Sequence, residues 1–246
     1  MICAQAVAGL PEVRPGDDLG MLLAASATRI EGGLADTDVL VISHKVVSKA
    51  EGRIVALADV VPGARARALA ADLGKDPRHV EVVLSESAQV VRADQGRLIC
   101  RTRHGFVCAN AGVDASNAGA PDTVILLPAD PDASARALRA RLGCAVVISD
   151  SFGRPWRIGQ AEIAIGCAGL EPLDDWRGRV DADGRDLNAT HIAIADQAAA
   201  AADLARGGKD ARTPAVIIRG LERHVLDHDG PGAAAIVRQP EGDLFR

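Results

Sequence analysis

The 246-residue sequence predicts a mixed α+β fold. Short apolar, β-branched runs and Ala/Leu/Arg-rich stretches interleave along the chain without a sustained repeat, which excludes a solenoid. Several strand candidates follow one another with no helix between them, so a regular βα repeat is not established and a doubly wound sheet is disfavoured.

Taken in order, Asp38–Ser43 reads as a buried strand, and Val46–Ser48 as its extended continuation beyond a bend, because β-branched residues dominate both. Ala64–Leu73 reads as a helix. Val80–Leu84 and Gln89–Val91 return to strand chemistry, and Arg97–Thr102 with His104–Cys108 form the arms of a hairpin turning near Arg103. Asp132–Leu142 has the composition of an exposed helix, with Asp and Ser near its start and Gly143 to stop it. Cys144–Ile148 is expected to be a buried strand that delivers Asp150 to a sheet edge. Arg177–Arg185 holds a turn candidate at Asp183-Gly184, Thr190–Ala205 reads as helical, and Ala215–Ile218 as another buried strand.

Composition narrows the function. Hydrophobic residues make up 48% of the chain, but there are only three Phe, two Trp and no Tyr, and the formal charge is −5. Neither an aromatic platform nor a basic surface is available for nucleic acid. The Ala-rich run Gln197–Ala205 is too short to span a bilayer, and no basic, then apolar, signal segment opens the chain, so the expected location is cytoplasmic and away from membranes. Cys3, Cys100, Cys108, Cys144 and Cys167 show no Cys-x-x-Cys spacing, which argues for buried, reduced thiols.

Neither a P-loop nor a strand-linked Gly-x-Gly-x-x-Gly is present. What remains is a set of polar knots. Asp114 lies in Asn110–Asn117, and Asp150-Ser151 follows the Cys144–Ile148 run. A carboxylate at the end of a buried strand suits Mg²⁺ or Mn²⁺, with nearby hydroxyl or amide groups completing the shell; each knot also fits a plain turn or helix cap. In an extended chain Lys45, Val47 and Lys49 share one side, placing two ammonium groups against a polyphosphate or, equally, protecting an edge strand. Arg206-Gly207-Gly208-Lys209 is a basic Gly turn that serves at least as a helix terminator. Arg154, Trp156, Arg157 and Gln160 suit an anionic substrate or a packed loop. Asp181, Asp183 and Asp186 lack the full calcium-loop spacing and read as a hairpin turn.

Four ordered stretches carry a resemblance: Gly9–Leu19, Lys45–Arg53, His104–Asn117 and Ser149–Arg157. It continues through Gly159-Gln160, Gly166–Leu170 and Pro214–Gly220. Together they resemble the coenzyme F420-0:L-glutamate ligase family. The resemblance implies a single ligase module over 1–246 with two intertwined subdomains, no fused nitroreductase-like domain, and assembly as a homodimer. It also implies GTP-dependent addition of L-glutamate to F420-0 through an acyl phosphate, with Mg²⁺ or Mn²⁺ and, as an optional monovalent ion, K⁺. By position, Leu10, Pro11, Glu12, Val13, His44, Lys49, Asn117 and the segment Arg206, Gly207, Gly208, Lys209, Asp210, Ala211, Arg212 and Thr213 match GTP contacts. Asp114, Asp150 and Ser151 match metal ligands. Ser151 stands where many relatives have Thr, His44 where Ser is frequent, and Gly208 where archaeal relatives carry a metal-binding Gln. Two other readings share these residues: a ligase acting on a different carboxylate acceptor, and a nonenzymatic nucleotide-binding regulator.

Overall fold

The computed structural model describes residues 1–208 and 210–243. In chain order the elements are β1 (Cys3–Val7), α1 (Leu19–Ala27), β2 (Val39–Ser43), α2 (His44–Ala50), β3 (Ile54–Ala56), α3 (Ala64–Leu73), α4 (Pro77–Ser85), β4 (Ser87–Asp94) and β5 (Arg97–Thr102). They continue with β6 (Val107–Ala109), β7 (Thr123–Ile125), α5 (Pro131–Leu142), β8 (Ala145–Arg154), β9 (Arg157–Ala168), β10 (Leu173–Asp175), β11 (His191–Ala193), α6 (Ile194–Arg206) and β12 (Ala215–Arg219). Helices and several mixed and antiparallel sheets make this the expected α+β fold.

A five-stranded sheet in the order β1-β12-β2-β8-β9 forms the centre, and β2–β8 is its one parallel pairing. Both of its faces are covered, which is why β2, β8 and β12 read as continuous apolar runs rather than alternating ones. Leu40, Ile42, Val146 and Ile148 pack with Leu19 and Leu23 of α1 and Leu138 of α5. On the other face Val39, Val41, Val147 and Val216 pack against Ala195, Ala198, Ala199 and Ala202 of α6, small side chains that bring the helix close to the sheet. A third core joins α3 and α4 to the β4-β5-β6 sheet through Leu73, Val80, Val83, Leu98 and Cys100.

Helix signals account for α3 and α5. Asp130 accepts from Ala133 N, Pro131 occupies the first turn, and Gly143 ends α5 at φ 76°. Gly74 closes α3 in the same left-handed conformation.

Two strand expectations fail. Val46–Ser48 lies inside α2, where Val47 turns into the main core, because tertiary burial outweighs the β preference of Val. Val80–Leu84 lies inside α4, whose start is set by the Asp76 side chain accepting from Arg78 N and by Pro77; Val80 and Val83, three apart, then face the third core together. Other differences concern extent. β8 runs on to Arg154, so Asp150 and Ser151 are strand residues; β6 starts only at Val107; and the first residues of Thr190–Ala205 form β11 before the helix begins at Ile194. Asp181 to Asp186 is the expected turn, in which Asp181 Oδ1 accepts from both Asp183 N and Arg185 N. All five thiols are free, but Cys3 is exposed rather than buried. Burial pushes the thiols of Cys108, Cys144 and Cys167 up to about 12. No helix among the described residues is long and apolar enough to cross a membrane.

One glycine locks α5 to the sheet. A Cβ on Gly166 of β9 would lie 2.3 Å from the Pro131 carbonyl oxygen, a backbone atom that cannot swing aside. Gly166→Ala is therefore expected to destabilise the fold by about 1–3 kcal/mol, read as a lower urea midpoint with unchanged m-value. An unchanged midpoint would mean that α5 is free to shift.

Candidate functional site

The parallel pairing ends where Ser43, the last residue of β2, stands in register with Ser149 of β8. Crevices at the carboxyl ends of parallel strands are the usual ligand sites of open sheets. Here α2 leaves Ser43 directly, the loop after α6 returns over the same edge, and a cleft of about 500 Å³ opens between them.

The helical conformation of α2 changes how its lysines reach this cleft. Lys45 and Lys49 still line it together, since residues four apart share a helix face, whereas Val47 is removed to the core. Their roles differ. Lys45 Nζ contacts Asp114 Oδ2 at 2.7 Å and donates to Ser116 Oγ at 2.6 Å and Ser116 O at 3.1 Å, which engages all three of its N–H groups. Among the described residues Lys49 Nζ donates to Glu12 Oε1 alone, at 2.5 Å, and retains two N–H groups.

Asp114 is aimed by its backbone. Asn110, Ala111 and Gly112 are successively left-handed, at φ 51°, 53° and 75°, and a two-way backbone bridge to Ile125 then fixes Asp114. A left-handed Ala is a strained choice that the surroundings must hold in place. Burial pushes the Asp114 carboxyl up, but the hydrogen bond from Lys45 and those from Ser116 bring it below its ordinary value. Asp114 is thus a firm carboxylate.

Asp150 and Ser151 leave β8 just past a register shift against β9, where Ile148 faces Gly166 but Ser149 faces Ala164. Both line the cleft but take different partners. Asp150 Oδ1 accepts from Ser151 N at 2.8 Å and lies 3.3 Å from Nε2 of fully buried His44. That last approach does not meet hydrogen-bond geometry, and among the described residues Nε2 has no other partner. Ser151 Oγ donates to Glu162 Oε1 at 2.5 Å, and Glu162 Oε2 accepts from Arg206 at 2.9 Å. Arg206 also donates to Ser149 Oγ at 3.0 Å, and Thr213 Oγ1 closes the returning loop by donating to the Arg206 carbonyl.

A hard divalent cation fits this donor set. Among the described residues no three His, Cys, Asp or Glu side chains converge as a self-sufficient cage. Two carboxylates and a hydroxyl on one cleft instead match the chemistry of Mg²⁺, which is ordinarily held by one or two carboxylates together with substrate phosphates.

The sequence profile described as F420-0:Gamma-glutamyl ligase matches residues 9–220. The chain belongs to this family. A protein named Coenzyme F420:L-glutamate ligase from Methanopyrus kandleri is 49% identical over 242 residues, covering 96% of this chain and 94% of that one. Relatives of the same name from Methanothermobacter thermautotrophicus and Natronomonas pharaonis are 44% and 43% identical, over 98% and 99% of this chain and 97% and 94% of their own.

The positions that resemble the F420-0:gamma-glutamyl ligase family fall into three groups in this structure. Glu12, Lys49, Asp114, Asn117, Asp150 and Ser151 line the cleft, as do Arg206, Gly207, Gly208, Arg212 and Thr213 of the returning loop. Leu10 and Val13 pack into the main core, His44 is buried behind Asp150, and Pro11, Asp210 and Ala211 are exposed off the cleft wall. Lys209 lies outside the described residues. Arg154 and Arg157 close the β8–β9 hairpin, Trp156 is 71% exposed, and of the four only Gln160 lines the cleft. Sequence reasoning missed Glu162, Asp203 and Ser43 as cleft residues. Glu162 had a readable signal: it is the single charge in the otherwise apolar run Ala161–Ala168.

Proposed function

We propose that this protein is a GTP- and metal-dependent ligase that joins L-glutamate to the carboxylate of coenzyme F420-0 through an acyl phosphate. The observation that carries the reading is the cleft itself, which brings together an ammonium group with two unused donors among the described residues, two carboxylates and a hydroxyl in a chain of this family. The relatives' shared name supplies the glutamate and the deazaflavin acceptor.

Lys49 directs its two unused N–H groups to the terminal phosphates, and the Arg206–Thr213 loop lies over the nucleotide. Asp114, held by Lys45, and Asp150, held by Ser151 N, would bind Mg²⁺ or Mn²⁺ with Ser151 Oγ. When bound, that cation offsets charge as two anions approach each other. A carboxylate oxygen of the acceptor attacks the γ-phosphorus and GDP leaves; the glutamate nitrogen then attacks the acyl carbon, loses a proton, and phosphate departs. The cleft residues act mainly by alignment and charge stabilisation, since a free carboxylate is a poor acylating agent and phosphate is a competent leaving group.

The test is to incubate the purified protein with F420-0, L-glutamate, GTP and Mg²⁺ and to measure product mass together with GDP. The expected result is glutamylated F420-0 with stoichiometric GDP, both dependent on acceptor and glutamate. A different ligated acceptor would move the substrate but keep the chemistry. GDP released at the same rate without acceptor would overturn the ligase reading.

A further inference from the structure

We infer that Glu162 is a positioning residue of the cation site, one that accepts the hydrogen bond of the Ser151 hydroxyl and so turns the lone pairs of that oxygen toward the cleft. The inference rests on the reading of Asp114, Asp150 and Ser151 as cation ligands.

Glu162 stands directly opposite Ser151 across β8–β9 and is 6% exposed, deep for a carboxylate. A buried carboxylate is retained only where both oxygens are satisfied, and here each has one partner: Ser151 Oγ at 2.5 Å and Arg206 at 2.9 Å. The consequence falls on Ser151. A serine hydroxyl has one proton and two lone pairs, and this proton is committed to an anion. Toward the cleft Ser151 can therefore only accept or ligate. A ligand oxygen whose proton is held by a carboxylate is also more basic, the usual effect of outer partners on metal ligands. The Ser151 N–H meanwhile fixes Asp150 Oδ1, so one residue receives its orientation from Glu162 and passes it on to the neighbouring carboxylate. Arg206 occupies the other oxygen of Glu162, offsets its charge, and, as the last residue of α6, ties this arrangement to the start of the Gly207-Gly208 loop.

A plain strut between β9 and α6 would show the same contacts, so the test must separate the two roles. Mn²⁺ is titrated against the full chain by electron paramagnetic resonance for wild type, Asp150→Asn, Ser151→Ala, Glu162→Gln, and the Ser151→Ala/Glu162→Gln double variant. In Glu162→Gln an amide must face either Ser151 or Arg206, so the acceptor pair is broken. The expected result is Mn²⁺ binding weakened about 10-fold or more by Glu162→Gln, with no further loss when the change is added to Ser151→Ala. Equal losses in both backgrounds would show a strut and overturn the inference. Wild-type binding in Glu162→Gln, with binding lost in Asp150→Asn, would overturn it while leaving the cation reading intact. Wild-type binding in Asp150→Asn as well would remove the cation reading and this inference with it. Glu162→Asp keeps the charge for Arg206 but withdraws it from Ser151; if Glu162→Gln does not fold, a folded Glu162→Asp protein with wild-type Mn²⁺ affinity overturns the assignment.

Discussion

Asp150→Asn and Asp114→Asn are each expected to lower the ligation rate by at least about 100-fold while leaving the protein folded. Each change keeps the shape and removes one negative charge. The amide of Asp150→Asn would retain an oxygen for the Ser151 N–H, and that of Asp114→Asn one for the Ser116 N–H, so the local backbone keeps its partners. Neither amide can replace a carboxylate opposite a divalent cation. The structural cost is small by comparison. Asp114 is 38% exposed, and its ion pair with Lys45 contributes on the order of 1 kcal/mol or less after solvent screening, a shift of roughly 2–4 °C at most in a chain of this size. Turnover at limiting metal and the thermal midpoint, measured on the same preparations, separate the two effects. Ser151→Ala should fall between wild type and the Asn variants, because a neutral oxygen is lost rather than a charge. Near-normal turnover in both Asn variants would sink the assignment of this cleft.

The contrast between what the residues foretold and what they concealed has a physical basis. β2, β8 and β12 were legible because strands buried on both faces must be apolar throughout, α3 because of its Ala, Leu and Arg content, and α5 because Gly143 stands where the helix must stop. α2 and α4 were not, because Val46, Val47 and Val80 to Val83 carry a β preference that only packing against the rest of the chain reverses. β9 escaped notice because its first half is polar and exposed while its second half is buried, so no single period marks it. At the site, Asp150 could be read from its place after an apolar run and Asp114 from its polar knot. The bond between Ser151 and Glu162 could not, since it depends on which residue of β9 stands opposite which residue of β8 across a register shift. The pairing of Lys45 and Lys49 was anticipated from extended alternation and arises instead from a helical face.

If the acceptor carboxylate is activated by phosphorylation, ¹⁸O placed in that carboxylate is expected to appear in the released phosphate. The attacking oxygen bonds to the γ-phosphorus and remains there when the glutamate nitrogen displaces phosphate from the acyl carbon. Attack uses either of two equivalent oxygens, so a fully labelled carboxylate should deliver one labelled oxygen per phosphate and leave the other in the amide product. Water attack on GTP gives the opposite outcome, phosphate without acceptor-derived label, because the new oxygen then comes from solvent. The cleft bears on which path wins. On the proposed reading, Asp114 and Asp150 would hold a divalent cation that screens the carboxylate from the polyphosphate, and the two unused N–H groups of Lys49 would meet the phosphates, an arrangement that favours alignment of the acceptor over activation of water. Mass analysis of phosphate after complete turnover decides the matter. Unlabelled phosphate, formed at the same rate whether or not acceptor is present, would make this a GTPase-like protein. Labelled phosphate accompanied by a ligated product other than glutamylated F420-0 would keep the acyl-phosphate route and assign the cleft to a different carboxylic acid.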